Sequence, residues 1–208
     1  MVPPESTPDL VLALMNSKSA QRRSAAGNLR KRRDPAAGAA LLEALNRELR
    51  DPRTWETQYQ MVMALGECGV TAAVPLLNTI ASAPREATMV FVATGDALIR
   101  LAALHEQADQ MWHTLLQQRN DHVLAGALRA THMADVSLRD DTITAIVTVL
   151  EGYESDHPIM FWAATAAWRW KLLSAHVFLK TLATSAREDI REAASHSLQG
   201  KLVKHNIL

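Results

Sequence analysis

The chain has 208 residues, is 48% apolar and only 5% aromatic, and carries 22 Lys or Arg against 22 Asp or Glu for a formal net charge of zero. That length allows one large domain or two small ones, and a zero balance argues against a dedicated nucleic-acid binder. A single cysteine, Cys68, excludes an intramolecular disulfide and a cysteine-based metal cage.

Read in chain order, residues 1–8 contain three prolines and predict a loose lead, without the basic-then-apolar pattern of a signal peptide. Asp9 to Met15 predicts a short helical cap, and Ser19 to Lys31 the first full helix. The basic run Arg30-Lys31-Arg32-Arg33 falls where that helix ends, a favourable place for cations beside the helix dipole. Asp34-Pro35 restarts a helix, with Asp34 as N-cap and Pro35 at the first helical position. Its apolar stripe is Leu41, Leu42, Leu45 and Leu49. Asp51-Pro52 repeats the signal for a helix ending at Gly66 or Gly69, and its partner buries Ala73, Leu76, Leu77 and Ile80 until Pro84 breaks it.

Further pairs follow. Glu86 to Leu104 is followed by Gln107 to Gln118, and Asn120 to Ala134 by a helix opened at Ser137-Leu138-Arg139-Asp140, which resembles a capping box. Asp156-His157-Pro158 opens a helix through Lys171, and Ser174 caps its partner. Ser185-Ala186-Arg187-Glu188 is a capping-box pattern opening the last helix, through Leu198 and Leu202. The first helices align at small-residue ends such as Ala25-Ala26-Gly27-Asn28-Leu29, Thr94-Gly95-Asp96-Ala97-Leu98 and Ala194-Ser195-His196-Ser197-Leu198. Their large-residue anchors at 29, 65, 98, 128, 168 and 198 define a degenerate helical repeat. Small residues at these sites let neighbouring helices approach closely.

Ala64-Leu65-Gly66-Glu67-Cys68-Gly69 with Ala73-Val74-Pro75-Leu76-Leu77, and Asp189-Ile190-Arg191-Glu192-Ala193-Ala194, carry a family likeness. Through these residues, roughly 18–202 resembles the HEAT repeat family, and more closely its short bacterial HEAT-like form of the PBS-lyase type. The resemblance implies an all-α, right-handed α-solenoid of about five antiparallel helix pairs. It also implies a single domain over residues 9–208, a concave face lined by the second helices, and binding rather than catalysis. The expected core includes Leu65, Leu76, Leu77, Ile80, Leu98, Ile146, Trp168 and Leu198.

The chemistry search returns little. There is no phosphate-cradling glycine motif, nucleophile elbow or His-Glu-x-x-His pattern. His105, Asp109 and His113 lie at four-residue steps but are too few for a closed structural metal site. No metal, cofactor or enzymatic activity is expected, and no apolar run reaches the roughly 20 residues that span a bilayer. The expected location is cytoplasmic.

Charge is unevenly placed. Residues 18–53 hold ten Lys or Arg against four Asp or Glu, whereas residues 54–208 hold twelve against sixteen. The expected role is a non-enzymatic protein-binding scaffold. One alternative is an immunity or antitoxin-like protein masking a toxin. A second is a nucleic-acid binder or a HEAT-like DNA-alkylation glycosylase using the N-terminal basic patch, and a bilin-lyase-like role is a further possibility. Removing the core stripes leaves Arg47, Arg50, Asn78, His113, Gln117, Thr144, Thr148 and Lys180 facing outward on the second helices as candidate partner contacts. Trp162, with Trp168 and Trp170 nearby, marks a rival surface, because aromatic and Arg anchors often centre an interface.

Overall fold

A computed structural model describes residues 6–83 and 88–201. The expectations for residues 1–5, Pro84, Glu86 and Leu202 lie outside the described residues. Twelve α-helices appear among the described residues, and no strand. They are α1 (Thr7–Ala13), α2 (Ser19–Arg32), α3 (Gly38–Glu48), α4 (Trp55–Glu67), α5 (Val74–Ser82) and α6 (Thr88–Ala103). After these come α7 (Ala108–Gln118), α8 (Asp121–Met133), α9 (Asp140–Leu150), α10 (Ile159–Ala166), α11 (Leu173–Leu182) and α12 (Glu188–Leu198).

The even-numbered helices form one row. Each packs on the next from α2 to α12, and α7, α9 and α11 pack on one another in the second row. The result is a strand-free stack of paired helices, α2/α3 through α10/α11, with α1 before it and α12 after it. It is an α-solenoid of HEAT-like kind.

The two Asp-Pro signals act as expected. Asp34 Oδ1 accepts the Ala36 N–H at 2.9 Å and Asp51 Oδ1 accepts the Arg53 N–H at 3.1 Å, each leading a short 3-10 turn into the next helix. Gly69, at φ 71°, closes α4. The Val70 N–H bonds back to the Leu65 carbonyl at 3.0 Å and the Gly69 N–H to Gly66 at 3.2 Å, the paired return bonds of a Schellman end.

Other boundaries differ from the sequence reading, each for a visible reason. α9 starts at Asp140 without a cap from its own segment. Asp109 of α7 anchors its entry instead, accepting the backbone N–H of the N-cap residue Arg139 at 3.0 Å. Ser185 does not close a capping box on α12. Its hydroxyl donates to the Ser155 carbonyl at 2.8 Å, so it ties the two loops together. α11 begins at Leu173, with Ser174 inside the helix. α10 stops at Ala166 and tightens to a 3-10 turn over Ala167–Arg169 rather than running to Lys171. There the Ser197 hydroxyl of α12 donates to the Ala164 carbonyl at 2.7 Å, taking an acceptor that a continued α-helix would use itself.

The core is largely where the apolar pattern puts it. Leu65, Leu77, Ile80, Leu98 and Ile146 are buried, whereas Leu76, Trp168 and Leu198 are only half-buried. Alanines fill the seam between even-numbered helices, among them Ala26, Ala64, Ala97, Ala127, Ala164 and Ala194. At the α6–α8 crossing the seam is glycine on both sides. A Cβ on Gly95 would overlap the Val123 carbonyl oxygen, and one on Gly126 would overlap that of Val92. Cα–H groups face carbonyl oxygens at helix contacts this close.

Candidate functional site

The second-helix candidates occupy the odd-numbered row. Arg47 and Arg50 on and just after α3, Gln117 on α7, Thr144 and Thr148 on α9, and Lys180 on α11 are exposed. Asn78 on α5 and His113 on α7 are half-buried. Several are engaged locally. The Arg47 guanidinium lies against the Met15 sulfur, and His113 Nε2 sits 3.4 Å from the Thr142 hydroxyl of α9. The Thr144 and Thr148 hydroxyls bond back to carbonyls of their own helix, at 2.8 and 2.9 Å. These residues form a polar strip with cations at its two ends, Arg47 and Arg50 by α3 and Lys180 on α11.

The even-numbered row holds a different feature. A groove of about 990 Å³ runs across α2, α4, α6 and α8. Six cations line it, Arg23, Arg30, Lys31, Arg33, Arg100 and Arg129, against one lining carboxylate, Glu67.

Its floor is an ion network. Glu67, the last residue of α4, lies 3.0 Å from Arg33, 3.8 Å from Arg30 and 3.6 Å from Arg100. Asp96 is fully buried on α6 and pairs with Arg100 one turn on, at 2.6 Å, and with Arg129 of α8. Arg129 also stands over the Trp162 ring of α10, 5.8 Å from its centroid, and Phe161 meets that ring edge-on at 5.1 Å. Basic residues far apart in the chain thus join the N-terminal run on one face, and Trp162 adjoins them. The sequence reading missed Asp96, Arg100 and Arg129. The signal was an Asp inside an otherwise apolar stretch, Thr94-Gly95-Asp96-Ala97-Leu98-Ile99-Arg100, with an Arg one turn later.

Trp168 and Trp170 lie apart from this groove. They line a second cavity of about 530 Å³ with Arg169 and Lys171. The Arg169 guanidinium stacks 4.4 Å over Trp168 while pairing with Asp135.

Reactive chemistry is sparse among the described residues. No group of three or more His, Cys, Asp or Glu is placed to hold a metal ion. His105 is exposed beyond the end of α6, while Asp109 is committed to Arg139. Cys68 is buried, and burial first, then the Asp34 and Glu67 charges, pushes its thiol up to about 11. A thiol so rarely ionised is a poor nucleophile. No helix among the described residues is long and apolar enough to cross a membrane.

No curated protein and no solved structure gives a match to the chain. The family described as PBS lyase HEAT-like repeat matches residues 21–47, which span most of α2, the Asp34-Pro35 turn and most of α3. This first pair, with its N-terminal basic run, carries the HEAT-like repeat motif.

Proposed function

We propose that the chain is a non-catalytic protein-binding scaffold whose docking surface is the groove on the even-numbered helices. The observation that supports this most is the gathering of six cations, from the α2 segment, α6 and α8, along one groove that spans four successive repeats. Binding across repeats is what a solenoid offers, since each repeat contributes one strip of a continuous surface. The polar strip of Arg47, Arg50, Asn78, His113, Gln117, Thr144, Thr148 and Lys180 is the rival surface on the opposite row. It has less to anchor a partner, because its hydroxyls are turned onto their own helix.

Site-specific photo-crosslinking in the native host separates the two. A crosslinker at Ser24, exposed in the groove, is compared with one at Thr148 on the strip. One protein captured from Ser24 and not from Thr148 is the expected result. Capture from Thr148 alone moves docking to the odd-numbered row. No protein captured from either position overturns the scaffold reading.

A further inference from the structure

Taking the groove as the docking surface, we propose that its occupant is an acidic polypeptide segment, a run of Asp and Glu side chains on the partner protein. The groove already shows how it treats a carboxylate. Glu67 projects into it and draws Arg30, Arg33 and Arg100 to within 4 Å. Guanidinium forks match carboxylates in geometry and charge, and arginine predominates where such groups are recognised.

Positive charge remains after this internal pairing. Glu67 and the buried Asp96 engage Arg30, Arg33, Arg100 and Arg129, and the rim residue Glu56 engages Arg23. Three carboxylates therefore face six lining cations, and the outermost of these, Lys31 and Arg33, are exposed to solvent. Arg33 also adopts φ 54° at the end of α2, where glycine is the favoured residue. A cation is held there in a backbone conformation that residues with a Cβ rarely adopt.

Nucleic acid fits less well. The Glu67 carboxylate on the floor would oppose a track of phosphates. No aromatic ring is among the residues lining the groove to stack a base. The cationic lining ends at α8, and the chain beyond residue 53 is net negative. A peptide can space its carboxylates around Glu67, whereas a phosphate backbone cannot omit a charge.

Fluorescence anisotropy on the full chain at moderate salt tests this. The probes are a labelled peptide of alternating Glu and Gly, its Gln and Gly analogue, and a labelled single-stranded oligonucleotide of equal charge. The acidic peptide should bind, the neutral analogue should not, and the oligonucleotide should bind no more tightly than the peptide. Lys31→Glu combined with Arg33→Gly should lower peptide affinity about tenfold or more, corresponding to ~1.4 kcal/mol. Arg33→Gly removes backbone strain, so circular dichroism and melting should show a folded variant. Lys18→Glu, the same substitution as at Lys31 but placed at the N-cap of α2, should leave affinity within about twofold. Absence of peptide binding, tighter oligonucleotide binding, or an equal loss from Lys18→Glu overturns the proposal. A native partner crosslinked from Ser24 while the acidic peptide fails to bind would keep the scaffold reading and sink this one.

Discussion

Glu48 is 5% exposed and ties three helices together. Burial alone would raise its carboxyl. The Arg22 guanidinium, donating at 2.6 and 2.9 Å, together with Thr54 and Ser19, outweighs that and holds it below the usual 4.5. A carboxyl depressed in the folded state contributes stability that is fully present above its unfolded pKa and is lost as pH falls through its folded pKa. Thermal stability should therefore hold from neutral pH down to about 4.5 and decline below it. Asp34 and Asp51, both depressed, add to that acid limb, Asp51 to about 2. Glu48→Gln should melt lower at neutral pH and show a shallower acid decline, measured by melts across the acid range. An unchanged acid limb would mean that Glu48 is not held as described. Cys68 gives a second test at this scale. With its thiol buried and raised to about 11, it should resist a thiol reagent in the folded protein and react fully in denaturant. Prompt reaction in native buffer would contradict its burial.

At the scale of elements, the tightest joint is the α6–α8 crossing, and it explains why glycine stands inside two helices. Gly95→Ala would drive a methyl into the Val123 backbone, which cannot rotate away as a side chain could. We expect destabilisation of at least about 1–3 kcal/mol, the usual cost of overpacking. Gly27→Ala is the contrast. Its nearest neighbour would be the Gln60 amide oxygen at 3.7 Å, an ordinary contact. Its helix propensity should gain roughly 0.5–1 kcal/mol. Chemical denaturation of both variants checks the pair, and equal effects would mean that α6 and α8 do not cross as closely as described. The small-residue ends were legible in the sequence because a repeated close approach leaves a repeated composition. The helix starts were legible where the cap is local, as at Asp34 and Asp51. They were misread at Arg139 and Ser185, where the decisive partner is Asp109 or the Ser155 carbonyl, about thirty residues away. No local pattern encodes a helix entry anchored by another repeat.

At the scale of the whole molecule, the fold was legible and the groove was not. Repeat spacing, turn signals and apolar stripes are properties of single segments. The groove is a property of the stack, since Arg30, Glu67, Arg100 and Arg129 meet only when four repeats align. Residue counts gave a basic N-terminal end and an acidic remainder. They could not show that Arg100 and Arg129 turn back towards the basic end while Asp96 disappears into the core.

The same network yields a prediction that only the assembled stack makes. Arg100 serves both Glu67 at 3.6 Å and Asp96 at 2.6 Å, so the two carboxylates share a partner across α4 and α6. Removing either leaves Arg100 with the other. Removing both leaves a largely buried guanidinium with neither, whereas Arg129 loses its carboxylate with Asp96 alone. Glu67→Gln and Asp96→Asn together should therefore cost more than the sum of the two alone, with a coupling of about 0.5 kcal/mol or more. The Asp96 variant should be the costlier single change, because its carboxylate is fully buried between two cations and breaking such a pair typically costs ~3–5 kcal/mol. A double-mutant cycle by chemical denaturation measures the coupling. Simple additivity would mean two separate ion clusters, one per joint, instead of a single charged spine running from α2 to the Trp162 ring on α10.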